Sequence, residues 1–153
     1  MTGKTSTTID DTAGRFTDEE RAAMKERARE LKTASRRDPS AERAEGEQEV
    51  RAKIAAMPEP DRVMAERLHV LVTDSVPSLV PRTYYGMPAY AVDGRVICFF
   101  KPASKFKVRY ATFEFQPDAS LDDGTMWPVA FALKELTAAD EARIGALVRK
   151  AVS

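Results

Sequence analysis

The stretch Tyr84–Lys101, YYGMPAYAVDGRVICFFK, constrains the fold of this chain more than any other. Two short extended runs, Ala89–Val92 and Arg95–Phe100, flank Asp93-Gly94, a dipeptide that adopts positive φ at little cost and closes a tight hairpin. In the Tyr-Gly-Met-Pro segment ahead of them, Gly86 takes a backbone conformation that a Cβ would resist, and Pro88 pushes Met87 into an extended one. Val96–Phe100 is apolar on both faces, which predicts a central strand covered on each side.

The rest of the C-terminal half extends this sheet. Lys101–Lys105 reads as a turn, Phe106–Phe115 as a strand and 117–124 as a polar loop. Trp127, Val129, Phe131 and Leu133 alternate with Pro128, Ala130, Ala132 and Lys134 as a half-buried strand does. Thr137, with Asp140 and Glu141, caps a last helix whose core face is Ile144, Leu147, Val148, Ala151 and Val152. Upstream, Val50, Ile54 and Met57 predict a short helix stopped by Pro58. Pro60 opens the next, with Met64, Leu68, Leu71, Val72 and Val76 on one face. Pro77 and Pro81 bracket a connection. Helices, then antiparallel strands, then a helix make an α+β two-layer helix/antiparallel-sheet sandwich.

The N-terminal third has a different composition. Residues 1–15 read as a tail without fixed structure, with Ile9 their one large aliphatic residue. Thr17-Asp18-Glu19-Glu20 is a capping box that opens a helix with a thin apolar stripe (Met24, Ala28, Leu31) beside a basic one (Arg21, Lys25, Arg29, Lys32, Arg36). From Asp38 to Glu49 the charge reverses, and Asp38-Pro39-Ser40 and Gly46 punctuate it as a linker. Residues 16–46 are therefore expected to be a charged helix and linker, an additional N-terminal element ahead of the domain at 47–153.

Several function classes are disfavoured by composition. Lys+Arg and Asp+Glu both total 24, so no global field draws in nucleic acid or anionic lipid. No apolar run reaches the roughly 18 residues of a membrane span, and no apolar signal core follows Met1. One cysteine, Cys98, forms no internal disulfide, which agrees with a reducing compartment. The expectation is a cytoplasmic protein, monomeric or weakly dimeric.

Catalytic constellations are sparse. His69 is the single histidine, which excludes a multi-histidine metal site, and it reads as a packed or surface side chain on a helix flank. No nucleophile elbow, phosphate-binding loop or dinucleotide fingerprint occurs. Cys98 lies in the most apolar strand, where a thiol behaves as a small hydrophobe. Three features can carry binding. Lys101, Lys105, Lys107 and Arg109, interleaved with Phe106 and Tyr110, read first as a strand edge guarded by lysines and second as an anion platform. Asp118, Asp122 and Asp123 offer hard oxygen ligands for a cation, or a solvated turn. Tyr84, Tyr85, Met87, Tyr90 and Trp127 can line a pocket or the core.

Tyr-Tyr-Gly-Met-Pro-Ala-Tyr (84–90), followed by Val-Ile-Cys-Phe-Phe (96–100), resembles the YdhG-like family of small bacterial domains, and the Met-Pro-Glu-Pro start of the helix pair at 57–76 fits it as well. The segment Phe16–Lys32, Lys105–Phe113 and Leu121–Pro128 resemble an actinobacterial branch with an extra N-terminal helix. The resemblance implies a frataxin-like fold over 47–152, and an intracellular iron-chaperone role by analogy with frataxin. Iron thus enters as a possible cofactor through the resemblance alone. The corresponding helix here carries only Asp61, Glu66 and Asp74, so no metal ligand carries over.

The leading expectation is a non-enzymatic binding domain for a small ligand or protein partner. Its working surface would comprise Tyr85, Gly86, Met87, Pro88, Tyr90, Lys101, Lys105, Lys107, Arg109 and Trp127. The alternatives are a weak iron chaperone using the three loop aspartates, and a nucleic-acid or protein adaptor using the basic helix and basic strand.

Overall fold

The computed structural model describes residues 15–153. The expectation for the tail at 1–15 lies, Arg15 apart, outside them. Helix α1 spans Asp18–Arg36 and opens with the expected capping box: Thr17 Oγ1 accepts from the Glu20 amide at 3.0 Å, and Glu20 Oε1 accepts from the Thr17 amide at 2.9 Å. A 3₁₀ turn at Pro39–Ala41 leads into α2, Glu42–Ala55, which is followed by α3, Asp61–Ser75. Five antiparallel strands then meander in chain order: β1 Val80–Tyr84, β2 Met87–Val92, β3 Arg95–Lys101, β4 Ala111–Phe115 and β5 Ala130–Leu133. A single helical turn, α4 at Ala103–Phe106, separates β3 from β4, and α5, Ala138–Ala151, closes the fold. The class is α+β, as expected.

Both tight hairpins have positive φ at each central residue, at Tyr85-Gly86 (54° and 76°) and at Asp93-Gly94 (50° and 78°). Such turns match the right-handed twist of the strands they join. Between them the β2–β3 register shifts by one residue after Tyr90, which pairs with Cys98 while Ala91 pairs with Val96. Ile97 is the extra residue, and this bulge lets Ile97 and Cys98 both join the main core.

That core lies between one face of the sheet and α2, α3 and α5. Val50, Ile54, Leu68, Val72, Ile144 and Val148 from the helices meet Tyr90, Cys98, Phe100, Phe113 and Phe115 from the strands. The opposite face carries a second, smaller cluster of Met87, Ala89, Val96 and Phe99, edged by Tyr84, Tyr85 and Phe106. Helix α1 lies against this second face, with Ala23 its one buried residue.

Several sequence expectations need correction. The last strand begins at Ala130 rather than Trp127, and Val152, expected on the core face of α5, is exposed just past its end. The segment read as a linker from Asp38 is a 3₁₀ turn followed by the first half of α2, so a boundary after residue 46 falls inside a helix. Gly46 marks a close approach there: a Cβ would sit 1.9 Å from the Pro81 carbonyl oxygen. The connection bracketed by Pro77 and Pro81 already holds the start of β1, an edge strand on which proline is tolerated. The strand expected over 106–115 starts only at Ala111. The chain first makes α4, which Lys107 ends at φ 53°.

Candidate functional site

The site is built on the first hairpin. Tyr84, Met87, Phe99 and Lys101 belong to β1, β2 and β3. Tyr84 packs on Phe99 with ring centroids 5.4 Å apart, and edge-on against Tyr85 at 4.8 Å. Arg27 of α1 stacks on Tyr84, its guanidinium carbon 4.8 Å from the ring centre. Phe106 of α4 closes the lower side, where Lys101 lies over its ring at 5.1 Å. An open groove of about 440 Å³ remains between α1 and the sheet. Phe16, Met24, Tyr85, Met87, Phe99 and Phe106 give it apolar walls, and Glu20, Lys101 and Glu114 supply charges.

Beside the groove, the turn grips α1. The backbone amides of Tyr85 and Gly86 donate to the two oxygens of Glu30 at 2.9 and 2.8 Å. Consecutive amides pointing at one carboxylate form a nest, the backbone counterpart of a cationic site. One helical turn earlier, Glu26 receives Lys105 at 2.6 Å and Lys53 at 2.7 Å. Burial works to raise the Glu26 pKa, but the hydrogen bonds and charges of Lys105 and Lys53 outweigh it and hold the carboxyl below its ordinary range. Lys107 reaches Glu19 at 3.2 Å.

These contacts change the meaning of the basic patch. Its sequence neighbourhood holds no acid, yet α1 supplies Glu19 and Glu26, so Lys105 and Lys107 are paired within the chain. Arg109 lies outside the groove, stacked on Tyr110 at 5.2 Å in the turn before β4. Of the residues expected to share one surface, Tyr85, Met87 and Lys101 line the groove, while Gly86 and Lys105 line a hollow on its other side with Lys53 and Met57.

Tyr90, Pro88 and Trp127 do not belong to this surface. Pro88 is fully buried, and Trp127 packs half-buried against the main core. Tyr90 is buried on the main-core side, its hydroxyl 2.9 Å from His69 Nδ1. His69 Nε2 lies 2.7 Å from Glu47, which also pairs with Arg51. An ionised Glu47 only accepts, so in the neutral ring Nε2 carries the proton and Nδ1 accepts from Tyr90. Burial works to raise the Glu47 pKa, but the hydrogen bonds from His69 and Arg51 and the Arg51 charge hold it below the ordinary value. Burial pushes the Tyr90 hydroxyl and the Cys98 thiol well up, which keeps both protonated.

The loop aspartates do not converge either. Asp118 faces Arg95 at 3.8 Å, Asp122 and Asp123 are exposed, and no group of three or more His, Cys, Asp or Glu side chains is placed to hold a metal ion among the described residues. The basic stripe of α1 is divided. Arg21 pairs with Asp18, whereas Arg29, Lys32 and Arg36 line a surface hollow with Arg37 and Glu45. Sequence reasoning missed Glu26, Glu30 and Lys53. Their signal was the four-residue spacing of two glutamates, hidden among the many charges of the helix. No helix among the described residues is long and apolar enough to cross a membrane.

No protein-family model, curated protein or solved structure matches the chain.

Proposed function

We propose that this protein is a non-enzymatic binding domain whose working surface is the groove between α1 and the hairpin face. The observation that carries this reading is the groove itself, an aromatic and methionine-lined trough with Lys101 and Glu114 on the sheet side and Glu20 on the helix side. Apolar walls with a few charges are the usual make-up of a ligand site: the walls supply affinity and the charges orientation. A larger surface hollow, of about 640 Å³, lies between α3 and α5. It has no aromatic wall, and the Arg67–Glu141 ion pair spans it, so it offers a ligand less apolar surface. The order helices, sheet, helix agrees with the YdhG-like, frataxin-like type that the Tyr-Gly-Met-Pro segment suggests, and a cytoplasmic setting suits the lone buried thiol.

The test is a thermal-shift screen of the full chain against amphipathic carboxylates, nucleotides and short peptides, repeated on Lys101→Ala. A ligand that binds only the native state raises the melting temperature. Hits whose shift collapses in Lys101→Ala support the groove. Hits that the variant leaves untouched contradict it.

A second reading rests on Arg29, Lys32 and Arg36, which with Arg37 and Glu45 line a mainly basic hollow between the end of α1 and the start of α2. As an adaptor for nucleic acid this surface would bind short oligonucleotides with an affinity that falls steeply with salt. Binding unchanged in the triple alanine variant excludes it.

A further inference from the structure

The Tyr85-Gly86 turn differs from its twin at Asp93-Gly94 in a telling way. Both turns require positive φ at two successive residues, and Asp-Gly meets that demand with residues suited to it. At the first turn the leading position is a tyrosine, a bulky side chain in a conformation uncommon for it. What this turn has and the other lacks is a carboxylate on both its amides. The Gly86 position is equally close: a Cβ there would lie 2.4 Å from a Glu26 oxygen. Glycine therefore lets the acidic face of α1 come down on the backbone.

The way α1 is held is also distinctive. Among its nineteen residues only Ala23 is buried, whereas α2, α3 and α5 each place several residues in a core that does not involve α1. Its attachments are charged ones: Glu30 on the turn amides, Glu26 on Lys53 and Lys105, Glu19 on Lys107 and Arg27 on Tyr84. Charged contacts at a partly solvated interface weaken with salt and form against competing anions.

We propose that the Tyr85-Gly86 amides, with Lys53 and Lys105, form a carboxylate-binding site for an acidic helix of a partner protein, and that α1 occupies this site as an intramolecular competitor. The pattern recognised is written in α1: two carboxylates four residues apart, Glu26 and Glu30, on the same face, with a small residue, Ala23, three positions before the first so that the helix can approach the sheet. A helix presenting that pattern places one carboxylate on the nest and the other between the two lysines. Its apolar side chains then rest on Met87, Phe99 and Phe106, which α1 now overlies. The proposal extends the groove reading to the neighbouring turn and shares its apolar floor.

The experiment uses a fluorescent peptide of residues 16–37, its Glu26→Gln/Glu30→Gln counterpart, and the full chain in wild-type and Glu26→Gln/Glu30→Gln forms. The tethered α1 acts at millimolar effective concentration, so wild-type chain should bind the peptide at least about tenfold more weakly than the variant chain. The variant chain should prefer the acidic peptide over its glutamine counterpart by about tenfold or more, and lose that preference at high salt. Hydrogen exchange of the variant should show the amides of 18–36 released and those of β2 and β3 still protected. Ala23→Glu expels α1 by another route and leaves the nest intact, so it serves where the double variant does not fold. A chain with α1 released that binds neither peptide, or both equally, overturns the carboxylate site. Equal binding of both that is lost in Lys101→Ala leaves the groove standing while the nest falls. An α1 still docked without its two carboxylates also overturns the proposal.

Discussion

The hydrogen-bonded chain Glu47–His69–Tyr90 shows how one residue's role depends on two distant in sequence. Tyr90 pairs with Cys98 in the sheet and turns its hydroxyl towards α3, where His69 waits for a donor. Tyr90→Phe removes that donor and leaves a buried ring nitrogen unsatisfied, which should cost about 1–3 kcal/mol in denaturant unfolding. His69 was legible only as a packed or surface histidine, and its partner Glu47 was not, because it lies in a stretch whose charges resemble a linker. Glu47 also gives the chain an acid dependence. Its folded pKa lies below the ordinary 4.5, so its stabilisation is present above that value and is lost as pH falls through the lower, folded one. Acid titration of Glu47→Gln should show a shallower loss of stability than wild type below pH about 4.5. Gly46 makes the complementary point. Alanine would favour a helix by about 1 kcal/mol, yet here its Cβ meets backbone 1.9 Å away. Gly46→Ala should therefore destabilise by about 2–4 kcal/mol, measured by urea unfolding, against a smaller effect for Gly94→Ala, which meets nothing within 4 Å and bears only the backbone strain of φ 78°.

Among the elements, those with a strong apolar rhythm were legible, as was α1 through its capping box, whereas attachments made by charge or by the backbone were not. Helix α3 and helix α5 follow their apolar stripes to within about two residues. The first turns of α2 hold Glu42, Arg43 and Glu45, residues that give no apolar period; the close packing of Gly46 on β1 and the hydrogen bonds that Arg43 donates to the Leu79 and Ser78 carbonyls tie this stretch to the domain. Strand β1 was hidden by Pro81, which sits at an edge where no ladder amide is needed. The docking of α1 was beyond sequence reasoning, since its attachment runs through carboxylates that read as solvated. Its dependence on charge gives a measurable behaviour. Glu26 is held below 4.5 by Lys105 and Lys53, so docking persists above that pH and weakens as pH falls through the folded value. Hydrogen exchange of 18–36 should accelerate on acidification below pH about 4.5 relative to the intrinsic rate, while β3 stays protected.

At the scale of the whole molecule, the sheet divides the protein into a main core and a smaller face whose cover is replaceable. The hairpin stretch announced a strand apolar on both sides, and the two clusters on either side of β3 are what it required. It did not announce that one cover would be an acidic helix. Since the main core takes no residue from α1, a chain beginning at residue 38 should still unfold cooperatively in urea, at lower stability, and bind a hydrophobic dye through Met87 and Phe99. The most direct measurement of the central claim is an NMR titration of the full chain with the hits of the thermal screen. The groove account predicts amide shifts concentrated at 16–24, Tyr85–Met87, Phe99–Lys101 and Phe106. Shifts concentrated between α3 and α5, around Arg67, Asp74 and Glu141, would contradict it.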